Sequence, residues 1–163
     1  MFETKLKVDI SSLEELTKEY PEASREARVS KLTEALMLLE RVVKQGTPHG
    51  AGPIHLRDSI HGKVSFSGQK VVGILGTPMQ HGEPVELGTR PHFPPVGPIQ
   101  HWVEVKLGYS GKEAASVAFL IARAISRRGT KGKHMFEKGF EKSESTIIRI
   151  LEEIPADIVR RLQ

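Results

Sequence analysis

The chain has 163 residues, a mass of 18.1 kDa, a net charge of +4 and a pI near 9.4, and its composition is 38% hydrophobic, 27% charged and 6% aromatic. That is enough for one domain over 1–163 with a real core, too short for two ordinary ones, and too apolar for global disorder. No cysteine is present, which excludes a disulfide framework, a thiolate metal site and a cysteine nucleophile.

The opening "MFETKLKVDI" lacks the basic-then-apolar layout of a signal peptide, and Leu6, Val8 and Ile10 alternate with polar residues as in a half-buried strand. Ser11 and Ser12 precede Glu14 and Glu15 in a capping-box arrangement, so a helix is expected to start there. Pro21 interrupts it or begins its next segment. Val29, Leu32, Leu36, Leu39 and Val43 then form one apolar stripe, which Gly46 and Pro48 bring to an end.

Eight of the ten prolines and twelve of the fifteen glycines lie between Gly46 and Gly111, so a turn-rich middle is flanked by two helical arms. The expected class is therefore α+β: a long N-terminal helix, an antiparallel β-meander, and C-terminal helices packed on the sheet. The meander is read as "KVSF", a turn at 67–69, "KVVGIL", a turn at 77–78, and "PVELGT". A short helix follows in "GPIQHWVEVKLG", with Ile99, Trp102 and Val103 on one face and a stop at Gly108 to Gly111. A second helix in "KEAASVAFLIARAISRRG" is expected to turn Ala114, Val117, Ile121 and Ile125 inward. The longest apolar run, "AASVAFLIA" at 114–122, ends at Arg123 and is far too short to span a membrane. The last helical stretch starts near His134 and carries Phe136, Phe140, Ile147 and Leu151, then Ile158 and Leu162 beyond Pro155.

Seven histidines invite a metal reading, but no His-Glu-x-x-His occurs. His49, His55 and His61 recur every sixth residue through a glycine- and proline-rich stretch that no regular element would converge. His81, Glu86, His92 and His101 are the set that a fold would have to gather. Asp58, Ser59 and His61 are too close in sequence to converge as a triad. "GYSGKE" at 108–113 is no phosphate loop, because Lys106 stands where its first glycine belongs and Glu113 would repel phosphate. "GTKG" at 129–132 matches a Gly-x-x-Gly clamp but reads as a helix-to-helix connector. No cofactor is called for and no catalytic set emerges, so an enzyme is not expected.

Two features stand out. Arg123, Arg127, Arg128, Lys131, Lys133 and Lys138 face only Glu137 within sixteen residues, five positive charges net, while the rest of the chain is about neutral. Such a run suits an acidic protein surface or a phosphate backbone; equally, Arg127 and Arg128 complement a helix C-terminus. The other feature is "EPVELGTRPHFPP" at 83–95. Here Glu86, Gly88, Thr89, Arg90, Pro91, His92 and Pro94 read as a proline-locked corner, with Glu86 accepting turn N–H groups or pairing with Arg90, and with Phe93 and Trp102 burying against the meander.

"VELGTRPHFPP", the helix with Trp102, "IARAISRRGTKG" and "MFEKGFE", with "GTPHGAGPIHLRDSI" upstream, resemble the tail-component family of long-tailed double-stranded DNA bacteriophages, the HK-ninety-seven gene-product-ten-like family. The resemblance spans about residues 1 to 150 and is most specific at 85–95 and 123–132. His81-Gly82 departs from the aromatic-plus-small pair usual ahead of that segment, and the 48–56 loop is unusually rich in glycine and histidine. The resemblance implies a structural virion protein of the neck or tail terminus, made in the host cytoplasm and acting without catalysis. It would assemble into a homo-oligomeric ring docked to other phage neck and tail proteins, with no membrane. Passing DNA is a transient contact for the 123–138 cations, and a basic nucleic-acid-binding module is the competing reading.

Overall fold

The computed structural model describes residues 14–51, 55–67 and 70–163. The expected strand at 4–10, the Ser11–Ser12 cap and the hairpin loop residues 68 and 69 lie outside them. The chain divides into two compact units, each discontinuous in sequence. One comprises residues 14–46, 60–77 and 136–163; the other comprises 47–59 and 78–135.

The first unit is organised by α2 (Pro21–Gly46). It follows α1 (Glu14–Glu19) almost without a break, since Tyr20 N–H bonds Leu16 O at 2.9 Å and Ser24 N–H bonds Tyr20 O at 3.0 Å. Pro21 therefore begins the second segment, at a first-turn position where its missing N–H costs nothing. The hairpin pairs β1 (His61–Ser67) with β2 (Lys70–Gly76) antiparallel, from His61 opposite Gly76 to Ser67 opposite Lys70. Gly62 and Gly73 leave room on it for Leu36 and Leu32, whose side chains come within 3.0–3.2 Å of where a Cβ would be, closer than ordinary packing.

Two further helices, α6 (Met135–Glu152) and α7 (Ile154–Arg161), meet α2 through a different set of residues. Ala27 and Ala35 are buried there with Ile147, Ile150, Leu151, Ile154 and Ile158. Leu32, Leu38 and Leu39 pack at the margin of this cluster, so α2 is covered on the hairpin side and on the C-terminal side, and its burial is wider than the single stripe of large residues expected. Leu36 and Val43 are buried, whereas Leu32 and Leu39 are only partly so. At Gly139 a Cβ would stand 2.6 Å from Val43 Cγ2, so glycine permits α6 to approach α2. Leu162, expected inward, is exposed at the end of α7.

The second unit contains α3 (Gly82–Leu87), β3 (Gly88–Thr89), α4 (Val96–Leu107), α5 (Gly111–Arg128) and β4 (Thr130–Lys131), after a 3₁₀ turn at Leu56–Ser59. Helices α4 and α5 form a hairpin around Val103, Ala114 and Ala118, with Val96, Ile99, Val117 and Ile121 packed about them. Gly108, left-handed at φ 74°, ends α4 as expected. The α5 seam is made of Ala114, Ala118 and Ala122, all fully buried, and the larger residues expected inward flank it.

The α+β class holds, with one correction. The third strand of the meander is a helix: "GEPVEL" winds as α3, and β3 is a two-residue strand that pairs with β4 and not with the hairpin. Pro84 falls in the first turn of α3, where backbone N–H groups have no intrahelical partner anyway. The sheet-covering helix is α2, and α6 and α7 reach that layer by packing on α2.

Candidate functional site

Residues 85–95 and 123–132 meet in the second unit. A helix as short as α3 leaves its last carbonyls without partners. Lys133 N–H donates to the Val85 carbonyl at 2.8 Å and His134 N–H to the Glu86 carbonyl at 3.0 Å, so residues 133–134 cap α3 from afar. Gly88 N–H closes the helix on Pro84 O. Beyond it Gly88 pairs with Lys131 and Thr89 with Thr130.

Glycine is required on both sides of this clasp. Gly88 sits at φ 83° and Gly129 at φ 68°, backbone conformations that side chains disfavour. A Cβ on Gly88 would run into the Thr130 carbonyl oxygen, and one on Gly129 into that of Thr89. Gly132 is equally confined by the Glu86 carbonyl oxygen. The hydroxyls of Thr89 and Thr130 lie 3.0 Å apart, and Thr130 N–H donates to Thr89 Oγ1 at 3.2 Å. "GTKG" is thus a connector from α5 to α6, shaped to interlock with "ELGT".

The remaining corner residues take simpler places. His92 Nδ1–H donates to the Arg90 carbonyl at 2.9 Å, which folds the turn around Pro91. Pro94 is half-buried, and Pro95, extended at ψ 127°, precedes the first residue of α4. Glu86 is buried, at 3% exposure, but on a helix and not on a strand. The expected Glu86–Arg90 pair is not formed: Arg90 is exposed and makes no ion pair among the described residues.

Two aromatic expectations are overturned. Phe93 and Trp102 do not bury; Phe93 is 55% exposed and stands 6.1 Å, centroid to centroid, from Phe119 on α5. Phe119 and Leu120 are 51% and 60% exposed. Sequence reasoning missed them as surface residues because they sit inside the most apolar run of the chain. The signal was available in the spacing: Phe119 falls between Ser116 and Arg123, on the polar side of the Ala114–Ala118–Ala122 seam.

Arg123, Arg127, Arg128 and Lys131 are all exposed and have no ion pair among the described residues; Lys133 is exposed too. They continue the α5 face past Phe119 and Leu120 and run on through the clasp. The histidines do not converge. His49 Nε2 accepts from the Arg57 guanidinium at 2.9 Å and its ring meets His55 edge-on at 6.0 Å, while His81, His92 and His101 are exposed. Among the described residues no three His, Asp or Glu side chains are placed to hold a metal ion. Ser59 spends its hydroxyl on the Leu56 carbonyl at 2.8 Å, and His61 faces Glu40 at 3.7 Å. Comparison with protein-family models, curated proteins and solved structures finds no match to the chain.

Proposed function

We propose that this protein is a structural subunit of the neck or tail terminus of a long-tailed double-stranded DNA phage, working by docking and ring assembly and not by catalysis. One observation carries the reading beyond the sequence resemblance. The segments most specific to that resemblance, 85–95 and 123–132, lock together through Gly88, Gly129 and Gly132 into one closely fitted corner. A shape fixed by backbone-to-backbone approach suits a part that must present one surface to many neighbours. Beside it lies exposed apolar and cationic surface, the composition of an interface core with its rim.

Subunits of this kind close into rings through heterologous contacts, each burying one patch against a different patch of the next. Other neck and tail proteins then stack on the ring. Among the described residues no helix is long and apolar enough to cross a membrane. The second reading, a nucleic-acid-binding module, draws on Arg123, Arg127, Arg128 and Lys131; exposed Phe119 and Leu120 on the same face favour protein over phosphate.

Electron microscopy of purified particles, with this chain labelled, tests the proposal. The label is expected as a ring at the neck or tail end, and particles assembled without the chain should show heads and tails that fail to join or tails with defective ends. Normal particles without it would overturn the reading. Tight duplex binding with a steep salt slope, lost on reversing Arg127 and Arg128, would establish the second one.

A further inference from the structure

We propose that the exposed face of α5 is the docking site for the α1–α2 helix of a second copy of this chain; the inference rests on the ring-assembly reading and names the two faces that meet. On α5 that face comprises Phe119, Leu120, Arg123 and Arg127, at helical spacing and all exposed. Neither arginine has an ion pair among the described residues.

The complementary face is on the same chain. Glu15, Glu19, Glu22 and Glu26 are exposed and fall at spacings of four, three and four, one stripe along a helix that runs on through Tyr20 and Pro21. From Glu14 to Glu26 five carboxylates face only Lys18 and Arg25. An apolar counterpart to Phe119 and Leu120 is adjacent: Arg161 bonds Glu26 at 3.2 Å, which sets the last turn of α7, with exposed Val159 and Leu162, beside the acidic stripe.

The charge division extends to the two units. Residues 47–59 and 78–135 hold nine basic and five acidic side chains, while the rest of the chain holds fifteen of each. A cationic, aromatic face meeting an acidic face with an apolar border is a heterologous contact, the type that propagates from copy to copy and closes when the rotation allows. Arg and aromatic residues are the side chains enriched at such centres. A phosphate backbone would use the arginines and leave Phe119 and Leu120 without a partner.

The absence of native cysteine makes the test direct. Two single-cysteine chains, Phe119→Cys and Glu22→Cys, are mixed at high concentration under oxidising conditions. The heterodimer is expected several-fold above either homodimer, with high salt suppressing it. In parallel, R123E/R127E and E19K/E22K chains, each checked for native circular dichroism, are compared by sedimentation. Each alone should self-associate roughly tenfold more weakly than the wild type, and an equimolar mixture should recover association, because reversed faces then meet each other. No heterodimer enrichment, or a mixture no better than its components, overturns the assignment. Binding of duplex DNA by the wild type, lost in R123E/R127E without any self-association, also overturns it. If virions carry the protein as a ring and the crosslink fails, this interface falls and the neck reading stands; a crosslink formed by a chain missing from virions supports the interface and removes the neck reading.

Discussion

Gly129 lies so close to Thr89 that a Cβ built on it would overlap the Thr89 carbonyl oxygen, and Gly88 bears the same relation to Thr130. The clasp is therefore reciprocal: each strand needs a glycine where the other presents a carbonyl. Gly129→Ala combines a left-handed backbone conformation with that overlap, and the strain of the first alone is on the order of 1–3 kcal/mol. For a chain of this length about 2 kcal/mol lowers Tm by roughly 4–8 °C. Differential scanning calorimetry is expected to show at least that loss, and an unchanged Tm would mean that the two strands separate freely.

Glu86 offers a second test of the corner. Its carboxylate is buried at 3% exposure on a helix whose own last carbonyls are capped from residues 133 and 134. Removing a buried charged group strands whatever it bonds, so Glu86→Ala should cost about 1–3 kcal/mol in urea unfolding. A variant as stable as the wild type would show that the carboxylate contributes no more than the space it fills.

The corner also shows where sequence reading stops. Val85 and Leu87 alternate around Glu86 as strand residues do, and a six-residue helix has too few turns to display a 3.6-residue period. What makes α3 stable is the pair of N–H groups from Lys133 and His134, far along the chain, which no local pattern announces. By contrast α2, the hairpin, α4, α5 and α6 were legible, because each is long enough for its period or its bounding turns to be unambiguous. Inside them the small residues were overlooked: Ala27, Ala35, Ala118 and Ala122 form the tightest seams, although size had directed attention to leucine and isoleucine. The basic run left a partner surface, a phosphate backbone and a solvated helix end equally open, and its residues are exposed. Phe119 and Leu120 lie outside the inward set of Ala114, Val117, Ile121 and Ile125, but nothing in the apolar run singled them out as surface.

Leu36 tests how α2 holds the hairpin. It is buried, and its methyls pack where Gly62 and Gly73 leave space. Leu36→Ala should cost roughly 2–5 kcal/mol, because the glycine-lined strands have no side chain with which to fill the gap. Gly73→Ala partly fills the same space from the other side. With its Cβ 3.0 Å from Leu36 Cδ1 in the native chain, it should be destabilising alone and less so in the presence of Leu36→Ala. Additive losses in that double-mutant cycle would mean that the two positions do not share one contact.

Glu40 links α2 to the start of β1 and gives the fold a pH dependence of known sign. Burial by itself raises its pKa. The Lys44 ammonium at 2.7 Å, the Gly62 N–H at 2.9 Å and the nearby His61 outweigh that and hold the carboxylate below its ordinary range. A group whose pKa is depressed by folding adds stability above its unfolded value, about 4.3 for glutamate, and loses that contribution as pH falls through the lower folded value. Glu40→Gln should therefore be less stable than the wild type at neutral pH by ~1 kcal/mol, with only a quarter of the side chain exposed to screening solvent. Below the carboxylate range the two proteins should converge. Urea titrations at a series of pH values measure the gap directly. A gap that stays constant through the acid limb would show that Glu40 acts by shape and hydrogen bonding alone, with its charge irrelevant to the α2–hairpin joint.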